Sequence, residues 1–507
     1  MRYSGVLISL IVLFESLLAL SQAKALEEVQ IKIPLSSTTF KVRLDELSSH
    51  QSLHNGTSDL ARLNRASGGL LGHLVRPFFS YPLPPGLKQL AHVSLQSPLL
   101  GQVIFLGSLL YTVEESTTDL GGHTDPEFSK SAVASHKPTL LRLIKEMPGQ
   151  RITFSLGRIH QIMNRMLHQH KQADALLAAA LSAAGSGSIP NGIKTGRGVV
   201  SRVVTLNVSH RSVPLEVTLV EPSSGSRGRL VLISHGLWDS PSYFEGWAIL
   251  LASRGYTVLL PRHPGSDISQ QQDVLAGQAP PPGPEEHSMR PKDLSALIDA
   301  VASRALPLTK SVAADRVVVL GHSWGATTAL QLAGLRPSDK HLLRRCPKVN
   351  EPARNLSWIL QCSWLKGIQS SVFSDPRVIA VGAVSPPGSL VFPRGSGASL
   401  SGRFLLVSGS RDWVVPPDTE AISPMRRARR GNQLMLVKGG DHFNLRPGKD
   451  ADGGLLGRLL LAWTDAAFAA GRAVRPRVGA APLLRPQIWG TADYPIVDVT
   501  GLLPGLE

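Results

Sequence analysis

The stretch VVVLGHSWGATTALQLAG, Val317 to Gly334, carries the reading of the fold. A β-branched run from Arg316 to Leu320 ends at a glycine, and an Ala- and Leu-rich segment without proline runs from Trp324 to Leu335. The first pattern is that of a buried strand and the second that of a helix, so the chain is expected to pass from one to the other at Ser323. Gly321 and Gly325 flank that corner, where side chains would collide with strand and helix. In a chain with 47 glycines the five-residue pattern alone arises readily by chance. The strand before it and the helix after it are what make Ser323 a candidate nucleophile.

A serine hydroxyl needs a base to take its proton, and the base needs a carboxylate to hold its tautomer. Only two histidines follow Ser323, His341 and His442. His341 comes too soon after the serine, before the remaining strands. His442, in KGGDHFNL, follows the last expected strand of the catalytic region and is the expected base. Five aspartates lie between Ser323 and His442. Asp412 directly follows the expected strand RFLLVSGS, at the edge where catalytic side chains gather in open α/β sheets, and is the expected acid. Asp375 precedes its strand and lies at the wrong edge, while Asp418 and Asp441 remain alternatives. Backbone donors for a developing oxyanion are expected from Trp324, next to the serine, and from Leu237 in SHGLWDS. Trp238, Phe244 and Trp324 are candidates to line an acyl pocket or to belong to the core.

Outward from this centre, VVSRVVTLNV, PLEVTLVEP, RLVLISHG, YTVLLPRH, RVVVLGHS, RVIAVGAVS, RFLLVSGS and QLMLVKGG read as strands. Helical patterns fall at Ser242 to Arg254, Asp293 to Arg304, Trp324 to Leu335 and Leu455 to Ala470. Strands alternating with helices imply a mostly parallel eight-stranded sheet covered on both faces, over residues 199–472. An insertion at 336–374, holding both cysteines of the chain, is expected to form a lid. Residues 26–188 read as a smaller, mainly helical domain, 189–198 as a linker, and 473–507 as a Pro-rich tail.

Residues 1–25 combine Arg2, an apolar run from Val6 to Leu20 interrupted by Glu15, and small residues at Ala23 and Ala25. That is the pattern of a cleaved export signal, with a retained anchor as the alternative, so the protein is expected in the periplasm or outside the cell. In such a compartment Cys346 and Cys362 are expected to pair, the alternative being two buried thiols. No Cys/His cluster has zinc spacing, and neither a metal nor a cofactor is expected. The net charge of +16 is mostly dispersed; its one dense run is MRRARR, Met425 to Arg430, which reads as a solvated helix face. Peripheral contact with anionic lipid stays open, and no nucleic-acid partner is expected.

ISHGLWDSPSYFEGWAILLASRGYTVLLPRHPGSD, RPKDLSALIDAV, GHSWGATTALQLAG, GSRDWVVPP and GGDHFNL together resemble the dienelactone-hydrolase-like branch of the α/β-hydrolases, which includes the platelet-activating-factor acetylhydrolases. The arrangement as a whole also resembles bacterial hydrolases with a helical leading domain of no assigned function. A dienelactone hydrolase uses a cysteine nucleophile, whereas this chain has Ser323, which favours ester cleavage over lactone opening. The resemblance implies an exported serine hydrolase of short-chain or lipid-derived esters. A serine peptidase on the same fold, or a non-catalytic protein that binds a membrane or partner, are the alternatives.

Overall fold

The computed structural model describes residues 26–32, 39–80, 97–99, 102, 111–114, 139, 141, 145, 151–184, 196, 198–348, 354–365, 373–392, 400–426, 431–471 and 480–503. The expected signal, most of the linker and residues 427–430 of the basic run lie outside them. The chain divides into two compact units, residues 1–165 with 272–283, and residues 166–271 with 284–507.

In the first unit, strands β1 (Glu28–Lys32), β2 (Thr39–Arg43), β3 (Tyr111–Glu114) and β4 (Arg151–Ser155) form a sheet in the order β2-β1-β4-β3. Helices His50–Asn55, Asp59–Ala66 and Leu70–Phe79 accompany it. The region is helical as expected, and it holds in addition a small sheet that the sequence reading did not include. Its strands are four or five residues long, and burial along β1 and β2 does not alternate cleanly, so no period-2 signal marks them. Helix Lys171–Ala184 belongs to the second unit, because Ala173, Leu177 and Ala180 pack into that unit's core.

The second unit is a ten-stranded sheet with helices on both faces. Its strands are β5 (Val199–Leu206), β6 (Leu215–Pro222), β7 (Arg229–Ser234), β8 (Thr257–Pro261), β9 (Ala313–His322), β10 (Val378–Val384), β11 (Arg403–Gly409), β12 (Gln433–Val437), β13 (Trp489–Gly490) and β14 (Pro495–Asp498). They run in the order β13-β14-β12-β11-β10-β9-β7-β8-β6-β5. From β8 to β12 every pairing is parallel, and antiparallel strands close both edges. All eight expected strands are present. The sheet exceeds that count by β13 and β14, which the tail supplies: Pro-rich text hid a four-residue strand that pairs with β12.

The central strands alternate between two cores, as period 2 requires. Val317 and Val319 of β9 face one core with helices Glu286–Ala302 and Trp324–Leu332, while Val318 and Leu320 face the other with helices Glu245–Ser253 and Gly457–Ala469. Being buried on both sides, these strands read as continuous apolar runs. Helix Glu286–Ala302 begins seven residues before its expected start at Asp293, running through Pro291 with Arg290 fully buried. From β7 the chain moves to β8 on one side and then to β9 on the other. The loops after β7 and β9 thus flank the point where strand order reverses, the crevice where α/β sheets bind ligands.

Candidate active site

Ser323 follows β9 directly and starts helix Trp324–Leu332, with φ 52° and ψ −124°. This is the left-handed side of backbone space, which a serine occupies only when its surroundings impose it. The neighbouring glycines explain how. A Cβ on Gly321 would strike the Gly325 carbonyl, and one on Gly325 would strike the Ser234 and His235 carbonyls of the neighbouring loop. Of the four described non-glycine residues with positive φ, three (Trp238, Ser323 and Ser385) follow β7, β9 and β10 at the same sheet edge. Backbone strain is thus concentrated where the site residues gather.

Asp412 follows β11 and is fully buried, and His442 follows β12 and is 6% exposed. His442 Nδ1 donates to Asp412 Oδ2 at 2.9 Å, while Asp412 Oδ1 accepts the Val415 amide at 2.7 Å. With Nδ1 holding the proton, Nε2 of the neutral ring is the basic nitrogen. The His442 ring lies 4.7 Å from that of His322, the residue before the serine. The alternatives to Asp412 lie elsewhere. Asp418 accepts the Gln172 and Ala173 amides, Asp441 accepts those of Phe443 and Asn444 in its own turn, and Asp375 pairs with Arg377 and Ser295.

The loop after β7 comes close to the serine: a Cβ on Gly236 would sit 3.3 Å from Ser323 Cβ. Trp238 donates its amide to Ser266, whereas the Leu237 and Trp324 amides have no protein acceptor among the described residues. Phe244 belongs to the core, fully buried and packed on Trp247 at 5.4 Å. The Trp324 ring is buried against His287 at 4.3 Å, and His287 stacks in turn on Trp364 of the insertion at 3.6 Å.

Over its described part the insertion is held by one buried carboxylate. The buried Glu420 carboxylate accepts bonds from Asn355, Ser357 and Gln361, and also from Gly388 and Ser389 of the loop after β10. Cys346 and Cys362 lie at bonding distance, with Cα atoms 5.7 Å apart, and pack with Trp358, Trp364 and Leu390.

A buried polar cluster that the spacing of motifs did not disclose supports the loop after β7. Arg290 donates to the His235 carbonyl, and His235 Nε2 accepts the His263 amide at 3.1 Å. His263 bridges Ser234 Oγ at 3.0 Å and Asp293 Oδ2 at 2.7 Å, and Arg211 ties Asp293 to Glu286. Burial and the Arg290 charge push His263 down to about 3, so the neutral ring donates to Asp293 and accepts from Ser234. Burial also lowers Arg290 to about 10, with Glu286 and Asp293 opposing that shift. The one signal in the text was R-P-K-D, with Arg290 and Asp293 nearly a turn apart on one helix. Among the described residues no group of three or more His, Cys, Asp or Glu is placed to hold a metal ion.

Residues 230–503 match the model of the alpha/beta hydrolase family. None of the curated proteins compared with the chain matches it.

Proposed function

Since that match spans more than half of its length, the chain belongs to the alpha/beta hydrolase family, and we propose that it is a serine hydrolase cleaving carboxylic esters through an acyl-enzyme. The observation that carries this reading is the buried Asp412–His442 pair beside a serine held at positive φ between two obligatory glycines. In this scheme Ser323 Oγ attacks the ester carbonyl while His442 Nε2 takes its proton. Asp412 holds the ring and stabilises the imidazolium, and the Leu237 and Trp324 amides receive the negative oxygen. Collapse of the tetrahedral intermediate expels the alcohol, which takes the proton from His442. Water, deprotonated by the same ring, then releases the acid and restores the serine. No metal or cofactor has a part in the scheme.

The resemblance to the platelet-activating-factor acetylhydrolases favours short or truncated acyl chains as substrate. The signal-like residues 1–25 and the cysteine pair fit an exported protein, and the net charge of +16 suits work near an anionic membrane. A fluorophosphonate probe with intact-mass readout tests the whole proposal. The expected result is one adduct, absent from Ser323→Ala, on a chain lacking residues 1–25 and two hydrogens lighter than its reduced form. A native protein that takes no label and turns over no p-nitrophenyl ester would remove the enzyme reading.

A further inference from the structure

Three loops of the site come from distant parts of the sequence, and one group of side chains joins them. Asp239, three residues after Gly236, is 7% exposed; its Oδ1 accepts Arg446 Nη1 at 2.5 Å, and its Oδ2 lies 3.8 Å from His322 Nδ1. The same Oδ2 is 2.7 Å from the point a Cβ on Gly236 would occupy, so the carboxylate closes against the loop after β7. His322 is 1% exposed and immediately precedes Ser323; its Nε2 donates to the main-chain carbonyl of His442 at 2.8 Å. Arg446 lies four residues beyond His442, its guanidinium 5.0 Å from the Tyr243 ring centre and 5.1 Å from that of Phe443.

A carbonyl oxygen only accepts, so the His322–His442 bond fixes the proton of the neutral His322 ring on Nε2. Nδ1 then faces the Asp239 carboxylate without a hydrogen-bond partner. Burial would raise the Asp239 carboxyl, yet the Arg446 guanidinium bonded to it holds it below the usual carboxylate range. Asp239 is therefore ionised and balanced by Arg446, a partly buried pair that spans two loops.

We propose that Asp239, His322 and Arg446 form a positioning brace that sets the base loop at a fixed distance from the serine and from the loop carrying Leu237. It rests on the ester-hydrolase reading above. Asp412 constrains the rotation of the His442 ring through Nδ1 but leaves the position of the main chain free. His322 supplies that second constraint by gripping the His442 carbonyl from the residue next to the nucleophile. Both members of the proton-transfer pair are thereby referred to one rigid point, the end of β9. Displacement of about 1 Å between reacting groups costs on the order of 10²-fold in rate, which gives the brace its purpose.

The test uses side chains that mimic one ring nitrogen at a time. Glutamine places an amide nitrogen near the position of Nε2, and asparagine places its amide near Nδ1. In the full-length protein, His322→Phe and His322→Asn should lower kcat about 10²-fold with KM within about 3-fold, whereas His322→Gln should restore most of that loss. Hydrogen exchange of the amides from 439 to 446 should quicken in the Phe and Asn variants and stay near wild type in the Gln variant. A folded His322→Asn protein with wild-type kcat and exchange would overturn the brace, as would a Gln variant as impaired as the Phe one. An inactive, unlabelled wild type would defeat the hydrolase reading alone, since the exchange comparison still decides the brace.

Discussion

Asp412 accepts from two sides, and the two bonds have different chemical weight. Asparagine at 412 keeps an oxygen for the Val415 amide, but its other atom becomes a donor facing His442 Nδ1. The ring must then accept at Nδ1 and carry its proton on Nε2, where it is useless as a base toward Ser323. Asp412→Asn should leave unfolding unchanged while lowering kcat by about 10⁴, the scale known for a buried triad aspartate. Asp418→Asn and Asp441→Asn should retain turnover near wild type, because those carboxylates serve backbone amides elsewhere. Loss of turnover in Asp441→Asn with Asp412→Asn active would move the acid role. Single residues of this kind were legible because chain order and strand ends constrain them. Asp239, His322 and Arg446 were not, since an ordinary loop aspartate, the x of G-x-S-x-G and a surface-type arginine acquire meaning only when three loops are folded together.

At the scale of elements, the six parallel strands β7 to β12 were legible because burial on both faces makes them near-continuous apolar runs, with turn residues between them. The insertion was legible as a departure from that rhythm but not in its mechanics. Its described helix Ser357–Cys362 is joined to the loop after β10 by one buried carboxylate. All of Glu420's partners are neutral donors from two segments; removing the carboxylate leaves the Gly388 and Ser389 amides without an acceptor and takes one of two acceptors from each of Asn355, Ser357 and Gln361. Glu420→Ala should therefore lower the urea unfolding free energy by about 3 kcal/mol, the upper range for hydrogen bonds to a charged group. It should also expose the helix to limited proteolysis before the sheet unfolds. The packed Trp364–His287–Trp324 rings carry the same disturbance to the residue beside the nucleophile, so turnover should fall in the folded variant. Unchanged stability and unchanged cleavage would show that the anchor is redundant.

For the whole molecule, the edges were least legible. The tail reads as uninformative text, yet it folds back to pair with β12, and helix Lys171–Ala184 reads as part of the leading region although it packs on the catalytic core. The first pairs Met435 with Asp498 and the second brings Gln172 and Ala173 to Asp418, 246 and 245 positions away, both beyond the reach of local pattern. Asp418 marks the second of these long-range joints. It accepts the Gln172 and Ala173 amides at the start of that helix, where the positive end of the helix dipole favours a charged carboxylate. Burial prevails over those bonds, with Asp174 adding to it, and raises Asp418 to about 6 from its ordinary 3.8. The folded protein thus binds this proton more tightly than the unfolded chain, and the sign of the linkage follows. This carboxyl's contribution to stability is greatest below about pH 4, declines as pH rises toward 6, and is flat above. Asp293 acts in the opposite direction, since His210, His263 and Arg211 hold its carboxyl far below the usual range despite burial, so its stabilisation is lost on acidification below about pH 4. Substituting Asp418 with asparagine isolates the first effect. The difference in unfolding free energy, wild type minus variant, should fall between pH 4 and pH 6 and then level off. A difference that stays constant across that window would mean that Asp418 keeps its ordinary acidity and that its two amide bonds outweigh its burial.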